Sequence, residues 1–123
     1  MFREDFVWGV ASSAYQVEGT DAADGRGACV WGMFAADGRV FEHQNADTSC
    51  DHMHHYKEDI ALMKHLGIRA YRFSLNWARI LPEGTGRVNE KAIAMYRDMI
   101  LTMKENGITP YLTLFHWEFP HAL

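Results

Sequence analysis

From Asp51 onward the apolar residues Met53, Tyr56, Ile60 and Met63 recur at steps of three, four and three, the spacing that lines side chains along one stripe of an α-helix. Gly67 follows the last of them and supplies the left-handed cap that ends such a helix. The run Ile68 to Leu75, rich in aromatic and branched residues, then predicts a buried strand. The same grammar returns with Ile93, Tyr96, Ile100 and Met103, a capping Gly107, and a strand-like run from Ile108 to Phe115. Met63 and Met103, Gly67 and Gly107, and Tyr71 and Tyr111 each stand 40 residues apart. That period suits a helical solenoid or successive βα units, and the strand-like run after each glycine favours βα units. Phe6 to Ala11 reads as an earlier strand, so the order predicts parallel strands joined by helical crossovers. Between that strand and the first long helix lie about 40 residues, with turn signals at Asp24-Gly25 and Asp37-Gly38; an ordered loop of that length usually overlies a site.

Composition narrows the setting. The 123 residues carry 12 Lys and Arg against 16 Asp and Glu, a net charge of −4, with 48% apolar residues, so a packed core is intended and no basic groove for nucleic acid or anionic membrane is present. No apolar stretch reaches the roughly 18 residues of a spanning helix. The opening Met1-Phe2-Arg3-Glu4-Asp5 puts acids where a secretory signal carries positive charge, which, with Cys29 and Cys50 read as free thiols, leads to the expectation of a cytoplasmic protein.

Ligand groups in α/β architectures gather at the carboxyl ends of the strands, where the βα loops form one rim. That rule selects Ser12 to Gly19 after the first strand, Arg72, Ser74, Asn76, Trp77 and Arg79 along and after the second, and His116, Trp117 and Glu118 after the third. Amide, imidazole and indole groups on one rim suit a neutral polyhydroxylated ligand: glutamine both donates and accepts, histidine does either by tautomer, and tryptophan offers a flat apolar face. Each residue also has an ordinary structural reading. Gln16 alone reads as a loop-ordering residue, and His116 alone supports either role. Phe73, Trp77, Tyr111 and Phe115 read as core aromatics.

His52, His54 and His55 after Asp51 invite a metal reading, but only His52 and His55 share a helix face and no second cluster completes a shell, so no metal or other cofactor is assigned. Glu105-Asn106-Gly107 and Asn89-Glu90 have the letters of glycosidase motifs yet sit where a helix ends and begins, and read as helix punctuation. Glu18 and Glu118 are better placed on the rim; a retaining glycosidase pair must stand about 5 to 5.5 Å apart.

Taken together, the segments Phe6-Val7-Trp8-Gly9-Val10-Ala11, Ala14-Tyr15-Gln16-Val17-Glu18-Gly19, Cys50-Asp51-His52, Tyr71-Arg72-Phe73-Ser74-Leu75-Asn76-Trp77-Ala78-Arg79-Ile80-Leu81-Pro82 and Thr113-Leu114-Phe115-His116-Trp117-Glu118-Phe119-Pro120 resemble glycoside hydrolase family 1, the β-glucosidase and 6-phospho-β-glucosidase family. The resemblance implies an α/β fold, a partial (β/α)8 TIM barrel in which residues 1–123 supply about strands 1–3 and helices 1–2 as the N-terminal fragment of a single glycosidase domain. It implies that Gln16 and His116 bind sugar hydroxyls, that Trp117 lines the same glycone subsite, and that Arg72 lies beneath the nucleophile and holds it ionised. A fixed guanidinium beside a carboxylate favours the charged form.

The chain departs from the family pattern in three places. Cys29-Val30-Trp31-Gly32 stands where Ser-Ile-Trp-Asp is usual, Met53 where Tyr is usual, and Glu118 where Asp is common. The family's acid/base glutamate in Asn-Glu-Pro after the fourth strand, and its nucleophile in Glu-Asn-Gly after the seventh, have no counterpart here, so neither role is assigned. The implied protein acts on terminal β-linked glucosyl or related residues, with the plain β-glucosidase branch favoured by Ala14-Tyr15-Gln16 and His116-Trp117. The 123 residues alone are expected to be inactive and to pair with a complementary barrel fragment or with themselves; the alternative is a non-catalytic sugar-binding or interaction remnant.

Overall fold

The computed structural model describes residues 1–20 and 22–123. Three parallel strands, β1 (Val10–Ala11), β2 (Ala70–Ser74) and β3 (Thr109–Thr113), form one sheet in the order β1-β2-β3. Two long helices make the crossovers, α3 (His52–His65) and α5 (Glu90–Glu105). Shorter helices α1 (Ala14–Val17), α2 (Val30–Ala36) and α4 (Trp77–Ile80) occupy the connections. The long first connection is thus structured: besides α1 and α2 it holds single helical turns at Ala22–Asp24 and Phe41–His43, and the glycines of both Asp-Gly signals adopt positive φ.

The 40-residue repeat is one capping geometry used twice. In the first unit Gly67 (φ +75°) donates its N–H to the Lys64 carbonyl and Ile68 donates to Met63, both at 3.0 Å. In the second, Gly107 (φ +74°) donates to Lys104 at 3.1 Å and Ile108 to Met103 at 2.9 Å. This paired closure satisfies carbonyls that a helix end leaves open, and it needs a residue without a β-carbon penalty at the left-handed position. Each glycine therefore turns the chain directly into the next strand. Gly9 serves a different end: a β-carbon there would lie 2.6 Å from the Ala70 carbonyl oxygen, so its absence lets β1 approach β2.

The core lies between one sheet face and the two long helices, built from Met53, Ile60, Tyr71, Phe73, Tyr96, Met99, Met103 and Ile108, with Tyr56 and Met63 packed against it. The expected stripe of α3 is therefore the buried one. On α5 it is rotated: the buried line is Ala92, Tyr96, Met99 and Met103, while Ile93 is 40% exposed. Small Ala92 is buried, and Ile93 joins Leu75, Ile80, Ile100, Leu101 and Leu112 along an apolar groove of about 260 Å³.

Period-two alternation sets Tyr71 and Phe73 toward the helices and Arg72 toward the opposite face, level with Ala11 and Tyr111 in the sheet register. That face is open. Tyr111 (49% exposed) and Phe115 (47%) correct the expectation that they are core, since β3 is an edge strand with no element over this face among the described residues. Phe73 is buried as expected, and Trp77 is half-buried, its indole N–H donating to the Gly84 carbonyl at 3.0 Å. The N-terminal strand is also shorter than expected: Phe6 and Trp8 are exposed and pack with Phe2 into an aromatic cluster, leaving only two residues in the ladder. Both cysteines are free thiols, Cys29 buried and Cys50 exposed.

Asparagines open two helices. Asn89 Oδ1 accepts from Ala92 N at the start of α5, and Asn76 Oδ1 accepts from Arg79 N at 3.2 Å at the start of α4. Asn76 is 1% exposed, and its truncation removes this cap while Arg79 N keeps the Asn76 carbonyl at 3.1 Å. Asn76→Ala is expected to cost about 1–2 kcal/mol, read as a lower urea midpoint at unchanged m-value; an unchanged midpoint would remove the cap from the stability account.

Candidate functional site

The carboxyl ends of the three strands form a rim stitched together by hydrogen bonds between distant segments. Ser12 N donates to the Arg72 carbonyl at 2.9 Å, extending the ladder, and Ser12 Oγ lies 2.5 Å from the Tyr71 hydroxyl. Two residues on, Ala14 N donates to buried Ser74 Oγ at 2.7 Å, and Tyr15 N donates to Glu118 Oε1. Gln16 is fixed through its backbone, its N–H on the Ser13 carbonyl and its carbonyl accepting from Ser49 Oγ, while its side-chain amide is exposed.

The loop after β3 is shaped by Trp117, whose φ of +71° is in the left-handed region that a bulky side chain resists. The turn leaves His116 half-buried, the Trp117 ring 69% exposed, and Glu118 buried. Beyond it, Val30 N donates to the Phe119 carbonyl and Cys29 bridges Pro120 antiparallel, which ties α2 to this loop and brings Trp31 beside Tyr15 at a ring separation of 6.3 Å.

These ties create a cavity of about 330 Å³ lined by Ser13, Tyr15, Gln16, Trp31, His116 and Trp117. The structure thus brings Gln16, His116 and Trp117 together, as expected from their place on the rim. Arg72 stands on the open sheet face beside them, its Nη1 3.4 Å from His116 Nδ1. With arginine as donor, Nδ1 accepts, and the His116 proton sits on Nε2. Tyr15 and Trp31 line the cavity without having been assigned a role; Tyr15 lies within the Ser12 to Gly19 rim segment, whereas Trp31 offered only its aromatic character within the first long connection. A second cavity of about 300 Å³ shares Tyr15, Gln16 and Trp31 and adds Gln44 and Asn45.

Other rim candidates are structural. Arg79 is 1% exposed and forks to three acceptors: Nε to Glu18 Oε2 at 3.1 Å, Nη1 to Asp24 Oδ2 at 3.1 Å, and Nη2 to the Gly19 carbonyl at 3.2 Å. Tyr96 OH donates to Glu18 Oε1 at 2.6 Å and accepts from Asn76 N at 3.0 Å. Burial pushes the Glu18 carboxyl above the ordinary value against the pull of Arg79, and burial holds the Tyr96 phenol well above its own. Glu18 is therefore a buried partner of arginine and tyrosine, not a rim carboxylate. Ser74 and Asn76 are likewise spent on backbone N–H groups.

Glu118 is 1% exposed, and its Oε2 is buried with no hydrogen-bond partner among the described residues. Burial pushes its carboxyl up to about 7, partly offset by the Tyr15 amide. The histidines of the run lie against separate carboxylates. His52 is buried with Nδ1 2.5 Å from Asp59 Oδ2, whereas His55 is exposed beside Glu58, so the pair expected on one face points into different surroundings. Glu105 and Asn89 end and begin α5, as their local signals predict.

The family model described as Glycosyl hydrolase family 1 matches residues 1–123. β-Glucosidase A of Thermotoga maritima is 50% identical over 123 residues, covering 99% of this chain and 28% of that protein. A solved family 1 β-glucosidase from Thermotoga maritima superposes with a TM-score of 0.94 at 49% identity, over 98% of this chain and 28% of that one. A β-glucosidase from the same organism in complex with glucoimidazole gives 0.93 at 49% identity over the same shares. The chain thus spans a little over a quarter of the length of these relatives and matches their N-terminal part.

Proposed function

The chain belongs to glycosyl hydrolase family 1, and on that premise we propose that it forms the glycone-binding part of a retaining β-glucosidase-like enzyme acting on terminal β-linked glucosyl residues. The observation that carries this reading is the single cavity lined by Gln16, His116 and Trp117. A glutamine amide donates to one sugar hydroxyl and accepts from its neighbour, the His116 Nε2–H donates to another, and the exposed indole of Trp117 covers the apolar C–H face of the ring. The glucoimidazole complex of the relative supports a glucose-shaped ligand for this site. Arg72, beneath the cavity on the open face, is the group that keeps a nucleophilic carboxylate ionised when one is brought over it.

Retaining hydrolysis needs two carboxylates about 5 to 5.5 Å apart, one as nucleophile and one as acid/base. Glu18 is committed to Arg79 and Tyr96, and Glu118 lies buried beneath Tyr15, so neither is free to act, and the family resemblance implies that the pair comes from parts of the barrel other than residues 1–123. By itself the chain binds sugar and does not hydrolyse it, and its open sheet face and β3 edge are the surfaces a complementary barrel fragment or a second copy covers.

Titrating glucose and cellobiose into the purified chain, followed by tryptophan fluorescence, is expected to give saturable millimolar binding. Gln16→Ala and His116→Ala are each expected to weaken it roughly tenfold, the loss of one or two ligand hydrogen bonds. Absence of saturation would reject sugar binding, and hydrolysis of an aryl β-glucoside by the chain alone would overturn the assignment of the catalytic pair to other residues.

A further inference from the structure

We propose that Glu118 is a positioning residue whose carboxyl group clamps the turn carrying Gln16 against the loop carrying His116 and Trp117. The clamp is a single contact between segments 103 residues apart, Glu118 Oε1 accepting the Tyr15 N–H. Gln16 is the next residue after that N–H, and His116 and Trp117 immediately precede Glu118, so this bond, beside the ties of Ala14 to Ser74 and of Val30 to Phe119, draws the turn and the loop together around the cavity that Gln16, His116 and Trp117 help to line. The left-handed backbone at Trp117 serves the same arrangement, turning Glu118 inward while the indole stays outside.

The clamp works as the neutral acid. Tyr15 N donates more strongly to the ionised carboxylate than to the neutral acid, but desolvating a charge whose Oε2 finds no partner costs more than that bond returns, so the charged carboxyl leaves the buried site and the neutral one holds the clamp. The charged groups facing it do not reverse this balance. Glu18, from the turn after α1, disfavours its ionisation; Arg26, from the segment leading into α2, favours it, with Nη2 engaged 3.0 Å from Cys29 Sγ. The carboxyl accordingly stands near 7, above its ordinary 4.5. Because the native state then holds a proton that the unfolded chain releases, stability falls as pH rises from 4.5 toward 7 and levels off above it.

The consequence for sugar rests on the function proposed above; the clamp itself does not, and the experiment separates them. In sugar-free protein, the Glu118 side-chain carboxyl carbon and the Tyr15 amide, followed by NMR from pH 5 to 9, are expected to titrate together with a midpoint near 7. A Tyr15 amide that stays constant, or that follows an ordinary carboxylate midpoint, would overturn the proposal whether or not the chain binds sugar. With glucose, affinity is expected to fall roughly tenfold between pH 6 and pH 8, because only the neutral, clamped fraction binds. Glu118→Gln keeps the acceptor without the titration and should bind glucose more tightly than the parent at pH 8, whereas Glu118→Ala should bind weakly at both pH values. A Glu118→Gln protein that retained the parent's pH response would place that response on His116 or another group and refute the clamp.

Discussion

Arg79→Met is expected to destabilise the chain by about 3–5 kcal/mol, the cost of leaving buried carboxylates without their cation. Glu18 and Asp24 are nearly inaccessible, and Arg79 holds both through separate nitrogens while a third bonds the Gly19 carbonyl. The loss is not local. The network fastens the turn after α1, the turn at Ala22–Asp24, α4 and α5, the last through Tyr96 and through Asn89 Nδ2 on the Asp24 carbonyl at 2.8 Å. Lys91, 3.1 Å from Asp24 but largely exposed, contributes little and cannot replace the arginine. Against a total stability of about 5–15 kcal/mol for a small domain, that loss is a large fraction, and the variant should unfold at a much lower urea concentration. Arg79→Lys should fail similarly, because a single ammonium cannot reproduce the planar fork. Circular dichroism and urea denaturation test this, and adding Glu18→Gln to Arg79→Met should recover part of the loss by removing one unpaired charge. A parent-like urea midpoint for Arg79→Met would mean that the network is not a fastening.

Ile60→Ala carries the second large effect. Ile60 is fully buried on α3 among side chains of β2 and α5, where close packing limits collapse around a new void. Truncation there typically costs about 2–5 kcal/mol, from lost transfer energy and the cavity that remains. Leu62→Ala, two residues along the same helix but 56% exposed, should stay within about 0.5 kcal/mol. The pair makes a controlled comparison, since both remove branched aliphatic carbons from one helix. Similar urea midpoints for the two variants would show that α3 does not pack through Ile60.

The legible part of the fold was the part written in short-range rules. The stripe of α3 and the closures at Gly67 and Gly107 depend on residues within one or two helical turns. Asn89 was equally readable as the start of α5 because its partner, Ala92 N, is three residues away. The α5 stripe was misread by one position because apolar residues lie on both Ile93 and Ala92 sides of the helix, and periodicity does not say which side meets the sheet. Tyr111 and Phe115 were assigned to the core from composition, but an edge strand in the open half of a sheet leaves them exposed.

At the site, the residues Gln16, His116 and Trp117 could be placed on one rim from strand order alone, since parallel βα units put all their carboxyl ends together. By itself the sequence determined the repeating βα grammar and its glycine stops, because hydrogen bonds spanning three to five residues specify them, and the shared rim, because helical crossovers make successive strands parallel. Only the tertiary structure decided that Glu18 belongs to Arg79, that Glu118 reaches back to Tyr15, and that Trp31 completes the cavity wall. Those partners lie 61 and 103 residues apart, or on a helix docked by a remote strand bridge. Burial and distance, which separate a rim carboxylate from a buried ion pair, arise only when the layers pack.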